Sequence, residues 1–167
     1  MIKLRLLFLL MLLLSLASCV PPVQEPPMTQ MEIRVAQTRE FDTENTKLVM
    51  KTMMNVLQDE GYIIKNAVLD LGLLTAEKQL NVENKQEVFF AKLAMGDTAR
   101  WNKHQTLEAS ANVSEFGNQT RVRVNFQVKT YDNVGCISEV VDVKNPEIYQ
   151  VFFTKVHKGI FLQKEGL

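Results

Sequence analysis

Leu107-Glu108-Ala109-Ser110-Ala111-Asn112-Val113, answered after Gly117-Asn118 by Val122-Arg123-Val124-Asn125-Phe126-Gln127-Val128, is the stretch that decides the fold. Leu107, Ala109, Ala111 and Val113 alternate with polar residues, and so do Val122, Val124, Phe126 and Val128. A period of two puts one set of side chains on one face of a strand. Gly117-Asn118 is the turn between the two runs. The pattern predicts an antiparallel hairpin over residues 106–131 with one buried face. Arg121, Arg123, Gln127 and Lys129 fall on the other face, wet and charged.

Towards the C-terminus, a turn around Asp132-Asn133 and Gly135 precedes a shorter strand from Ile137 to Val143. Asn145 then offers a capping oxygen, Pro146 suits the first helical position, and Glu147 follows in the first turn. A helix is expected to about Gln163, because Tyr149, Phe152, Phe153, Val156, Ile160 and Phe161 recur at three- and four-residue spacing. Towards the N-terminus, Leu73–Lys78 and Tyr62–Val68 read as two strands joined around Asp70-Leu71-Gly72. Before them, residues 44–60 read as a helix capped by Asp42-Thr43 and stopped at Gly61. Its apolar face is Val49, Met53, Val56 and Leu57, widened by Met50 and Met54. From Met31 the alternation of Ile33, Val35 and Gln37 predicts a first strand, and Glu83–Met95 is expected to be a helix ending at Gly96. The result is a two-layer α+β domain over residues 31–167, a mostly antiparallel sheet with helices packed on one face.

The N-terminus follows different rules. Lys3 and Arg5 precede the apolar run Leu6–Leu14. A bilayer needs about 20 apolar residues, so this run is too short to span one and matches a secretory signal of about 7–15 apolar residues. Leu16-Ala17-Ser18-Cys19 resembles the lipobox of bacterial lipoproteins. The resemblance implies that residues 1–18 are a cleaved signal peptide and that Cys19 carries a covalent diacylglyceryl lipid, usually with acylation of the new amino group. Several chains would then hold the protein to a membrane durably, at about 0.8 kcal/mol per buried methylene. Val20, in place of Asp, resembles the outer-membrane default of such lipoproteins and implies a periplasmic face. Residues 19–30 include Pro21, Pro22, Pro26 and Pro27 and read as an extended tether.

Gln37–Thr43, Asn55–Tyr62 and Gly72–Ala76 resemble a family of uncharacterised bacterial lipoproteins. In element order the domain is also similar to the accessory lipoproteins of the outer-membrane β-barrel assembly machinery. That likeness is topological, and a topology does not carry a function with it.

The residues themselves offer little chemistry. With 19 basic and 19 acidic residues in balance, losing Lys3 and Arg5 leaves the mature chain at net −2. That argues against a nucleic-acid partner, which calls for a basic face. The two histidines, His104 in an expected loop and His157 on the last helix, show no metal-ligand spacing. Cys136 is the one thiol left once Cys19 is lipidated, and it reads as a small apolar side chain packed near a turn, the alternative being an intermolecular bridge or a reactive thiol. No nucleophile elbow or phosphate loop is present, so the expected cofactor set is empty apart from the lipid. Arg39 with Phe41, and Arg100 with Trp101, pair arginine with an aromatic as interface anchors do. The chain is therefore expected to be a non-catalytic binding or assembly module of the cell envelope with a protein partner. The alternative is a carrier of a small apolar or lipid ligand between helices and sheet.

Overall fold

The computed structural model describes residues 28–166; the signal segment, Cys19 and the prolines of the tether lie outside them. In chain order the elements are α1 (Gln30–Ala36), β1 (Thr38–Phe41), α2 (Thr46–Asp59), β2 (Ile63–Val68), β3 (Leu73–Asn81), α3 (Lys85–Met95), β4 (Asn102–Phe116), β5 (Gln119–Asp132), β6 (Ile137–Asp142) and α4 (Pro146–Lys164). The six strands form one antiparallel sheet in the order β1-β5-β4-β3-β2, and β6 also pairs with β5. β1 takes residues 120–123 of β5 and β6 takes residues 127–131, so the two short strands lie end to end along one edge.

The hairpin alternation holds. Ala109, Ala111, Val113, Val122, Val124 and Phe126 are buried on one face, in register as Ala109↔Phe126, Ala111↔Val124 and Val113↔Val122. Leu74 and Ala76 of β3 extend that face. Helices α2 and α4 cover it with Val49, Met50, Met53 and Leu57 from one and Tyr149, Phe152, Phe153, Val156 and Ile160 from the other. Phe126 meets Tyr149 at 5.5 Å and Phe152 edge-on at 5.4 Å; such aromatic pairs add about 0.5–1.5 kcal/mol each beyond burial. The opposite face carries ion pairs, Lys65–Glu77 at 2.6 Å and Lys129–Glu108 at 2.8 Å.

Local signals explain the ends. Asn145 caps α4 through the Glu147 N–H at 2.9 Å. α2 stops in a Schellman arrangement, with the Tyr62 N–H on the Leu57 carbonyl and the Gly61 N–H on that of Gln58, both at 2.9 Å. Its N-cap is Asn45, bonded to the Leu48 N–H at 2.9 Å, so the helix starts two residues after the expected Glu44.

The expected strand from Met31 is instead helix α1. Thr29 and Glu32 form a capping box, the Glu32 carboxylate accepting from the Thr29 N–H at 2.7 Å. Ile33 and Gln37, both buried, are four residues apart, which satisfies helical and alternating periods alike. Val35, which decides between the two, is 68% exposed. Two smaller corrections concern His104 and Phe161. His104 lies in β4, stacked on Tyr131 at 4.8 Å, and Phe161 is exposed on the outer side of α4.

The gap between β1 and β6 leaves β5 backbone in need of partners. The Val124 N–H goes to the Gln37 carbonyl and the Phe126 carbonyl to the Val143 N–H, each at 2.9 Å. The Phe126 N–H reaches the Tyr149 hydroxyl at 3.4 Å, and that hydroxyl donates to the Val143 carbonyl at 2.6 Å. Tyr149→Phe should therefore cost about 1–3 kcal/mol, the penalty for stranding buried polar groups, read as a lower urea midpoint with an unchanged slope.

Gly72 is a second tight place. It is left-handed at φ +63, and a Cβ there would lie 1.9 Å from the Val113 carbonyl oxygen. Gly117 has φ +60 with nothing within 4 Å. Gly117→Ala should cost about 1–2 kcal/mol for the backbone conformation alone. Gly72→Ala should exceed about 4 kcal/mol, because β3 and β4 must also separate; thermal melts of the two variants side by side make the comparison.

Candidate functional site

The sheet runs on past the helices that cover it. Beyond Phe126, Leu107 and Val128 continue the apolar face while α4 crosses above with Ile148, Val151 and Phe152. Between them lies a groove of about 400 Å³, floored by Leu57, Tyr62 and Phe126 and closed at one side by Val143. Ile148 and Val151 remain about half exposed on its wall. Glu60 and Lys155 pair at its mouth. Burial raises the Tyr62 phenol above its ordinary pKa, and the Glu60 carboxylate adds to that. This groove lies beside the Met50 and Met53 side chains' core rather than among them, for both are fully packed.

β6 ends one residue before Val143, which lines the groove. All six of its residues are exposed, with Val141 opposite Val128 and Val140 opposite Lys129. Among the described residues, its outer edge pairs with no other strand. A wider hollow of about 530 Å³ lies partly over the polar face, lined by Arg34, Arg123, Asn112, Asn125, Asp142 and Lys144 among others.

The two arginine–aromatic pairs are separated. Arg39 and Phe41 sit on β1, against residues 120–122 of β5; Arg100 and Trp101 lie at its far end, beside Asp132. Phe41 does not form part of an exposed pair: it is 3% exposed and packs on Phe153 at 6.3 Å. Arg39 stands over the same Phe153 ring at 5.4 Å. Two residues apart on a strand, they share one face, and both meet Phe153: Phe41 is buried against it while Arg39 stays exposed at its edge.

Arg100 and Trp101 join a knot of hydrogen bonds at the β5–β6 turn. Arg100 Nη1 donates to Asp132 Oδ2 at 2.7 Å, and Asp132 Oδ1 accepts from the Val134 N–H at 3.0 Å and the Cys136 N–H at 2.8 Å. Asn133 exchanges bonds with the Trp101 backbone, donating to its carbonyl at 3.1 Å and accepting its N–H at 3.3 Å. Trp101 Nε1 donates to Glu83 at 2.9 Å. Cys136 closes the base of this turn, its carbonyl accepting from the Asp132 N–H at 2.9 Å, and it is exposed, not packed beneath the turn. Cys136 and Asp132 together raise the pKa of the Arg100 guanidinium. Among the described residues, no group of three or more His, Cys, Asp or Glu side chains converges to hold a metal.

No protein-family model matches this chain, and no curated protein matches it in sequence. Solved structures do align with it at low similarity. A DUF4468 family protein from Bacteroides ovatus aligns over 80% of this chain and 89% of its own, with TM-score 0.40 and 8% identity. A TBP-like protein from Parabacteroides distasonis aligns over 80% and 96%, with TM-score 0.37 and 11% identity.

Burial works to raise the Asp132 pKa, but the Cys136 and Val134 N–H groups and Arg100 outweigh it and hold the carboxyl below its ordinary value. A lowered folded pKa means stability that is full above the ordinary carboxylate range and lost as pH falls towards the folded value. The urea midpoint of the wild type should drop through that acid window, and Asp132→Asn should start lower and show a flatter profile there.

Proposed function

We propose that this chain is a membrane-anchored, periplasm-facing lipoprotein that serves the bacterial cell envelope as a non-catalytic binding module. The observation that carries the reading is the apolar groove beside α4, walled on one side by Val143 just after β6, together with the exposed outer edge of β6, which is unpaired among the described residues. A partner's extended segment can add a strand to such an edge, with main-chain bonds supplying affinity and a neighbouring pocket supplying selectivity. Its alternate apolar side chains would enter between Ile148, Val151 and Val128. The anchor side of the reading rests on Leu16-Ala17-Ser18-Cys19, which puts the lipid on Cys19.

The test is cross-linking in the intact envelope of cells expressing the full chain with its own signal, with recovered proteins identified by mass spectrometry. One reproducible partner is expected, lost with Cys19→Ser. Its yield should fall roughly tenfold with Val151→Arg, the loss that about 1.4 kcal/mol of apolar contact represents; an unchanged yield removes the groove from the interface. A second reading is favoured by the groove's volume and apolar lining: carriage of a small apolar or lipid ligand. It expects no protein partner but an extractable lipid that co-purifies and is displaced by Val151→Trp.

A further inference from the structure

Helix α3 has a face that the fold does not use. None of its 11 residues is buried, whereas the 14-residue α2 buries six. Phe89 and Phe90 are 63% and 65% exposed, Leu93 74% and Met95 67%. Leu93 follows Phe89 by four residues and Phe90 by three, so the three form one stripe. The two rings meet edge-on at 5.6 Å. The helix is nonetheless held in place from its other side: Lys92 Nζ stands 5.3 Å over the Trp101 ring, and Trp101 is fastened to Glu83 and Asn133. A fixed, outward-facing stripe of aromatic and aliphatic side chains marks a contact surface.

The chain's own geometry says what that surface meets. α3 connects β3, ending at Asn81, to β4, starting at Asn102 opposite Asp132, so it lies at the end of the sheet where β5 turns into β6. Gln37, just past the C-terminal end of α1, bonds to Val124, while Gln30 and Arg34 share a hollow with Arg123, Asn125 and Asp142. The N-terminal end of α1 therefore lies near the middle of β5. From Asn125 to Asp132 is about 24 Å of strand. Residues 19–27 add nine residues, which span at most about 30 Å. A lipid on Cys19 thus brings the bilayer within reach of the Phe89–Phe90–Leu93 stripe.

The geometry points to α3 as a membrane-contact helix, its Phe89–Phe90–Leu93 face lying in the interface of the same bilayer that holds Cys19. This rests on the reading of Cys19 as lipidated. Nearby charges are close to balance, Lys85, Lys92, Arg100 and Lys103 against Glu83, Glu87 and Asp97. The contact is therefore apolar, indifferent to salt, and made as well with neutral as with anionic lipid.

The experiment uses the full lipidated protein with Cys136→Ser, reconstituted in phosphatidylcholine vesicles. An environment-sensitive fluorophore is placed at Leu93→Cys or, at the opposite end of the sheet, at Asn118→Cys. The Leu93 label should shift to the blue and be quenched by doxyl-bearing acyl chains, while the Asn118 label does neither. Phe89→Ser with Phe90→Ser should abolish the quenching while the protein still floats with the vesicles. A protein that floats with its Leu93 label as wet as the Asn118 label overturns the inference and leaves the anchor standing. A protein that does not float overturns both. A Leu93 label that shifts with protein concentration but is not quenched by lipid also overturns it, and assigns the stripe to a second copy of this chain.

Discussion

Between residues 124 and 126, β5 is flanked on one side by neither β1 nor β6, although Val124 and Phe126 there are buried in the core. Backbone groups in that position must find partners or destabilise the whole sheet. Three different elements supply them: the Gln37 carbonyl at the end of α1, the Val143 N–H after β6, and the Tyr149 hydroxyl from the first turns of α4. Tyr149 also accepts from the Gln37 amide at 3.4 Å. One phenol oxygen thus links both ends of the interrupted edge to the helix that closes the core. Among the described residues, no buried side-chain polar atom is left without a partner, so the split edge is satisfied rather than strained.

That edge also sets where the interaction surfaces lie. Because β6 replaces β1 partway along β5, the far half of the sheet extends past the cover of α2 and α4. Leu107 and Val128 then face a groove instead of a helix, and Val140 and Val141 face solvent. The apolar surface that in most small α+β domains would close inward is shared here between a packed half and an open half. α3 belongs to the open half, which is why a helix with two phenylalanines in sequence buries neither.

Most of this architecture was legible because its signals were local and periodic. The hairpin of β4 and β5, the helix stop at Gly61 and the Asn145-Pro146 start each depend on residues close together in sequence. α1 was misread because Ile33 and Gln37 fit two periods at once, although Thr29 and Glu32 already spelled its capping box. The site was much less legible. That Phe41 is core and Trp101 a fastening point follows from pairings across more than 30 residues, Arg39↔Val122 and Asn133 with Trp101. A lone phenylalanine in sequence does not say which neighbour will cover it. The exposure of Phe89 and Phe90 depends likewise on the absence of packing across α3, which no pattern within Lys85–Met95 records.

The same edge bears on the order in which the chain can assemble and on how it yields to force. β2 with β3, β3 with β4, and β4 with β5 are neighbours in sequence and can pair as each emerges, whereas Thr38 must wait for Arg123. Distant pairings carry a larger loop-closure cost and form late. β1 is four residues long and is the strand nearest the N-terminus. Tension applied through that end reaches α1 and this short strand before the hairpin ladders behind it. The domain is built like a seam whose last stitch is also the first to give, leaving the β2–β5 meander intact when it does.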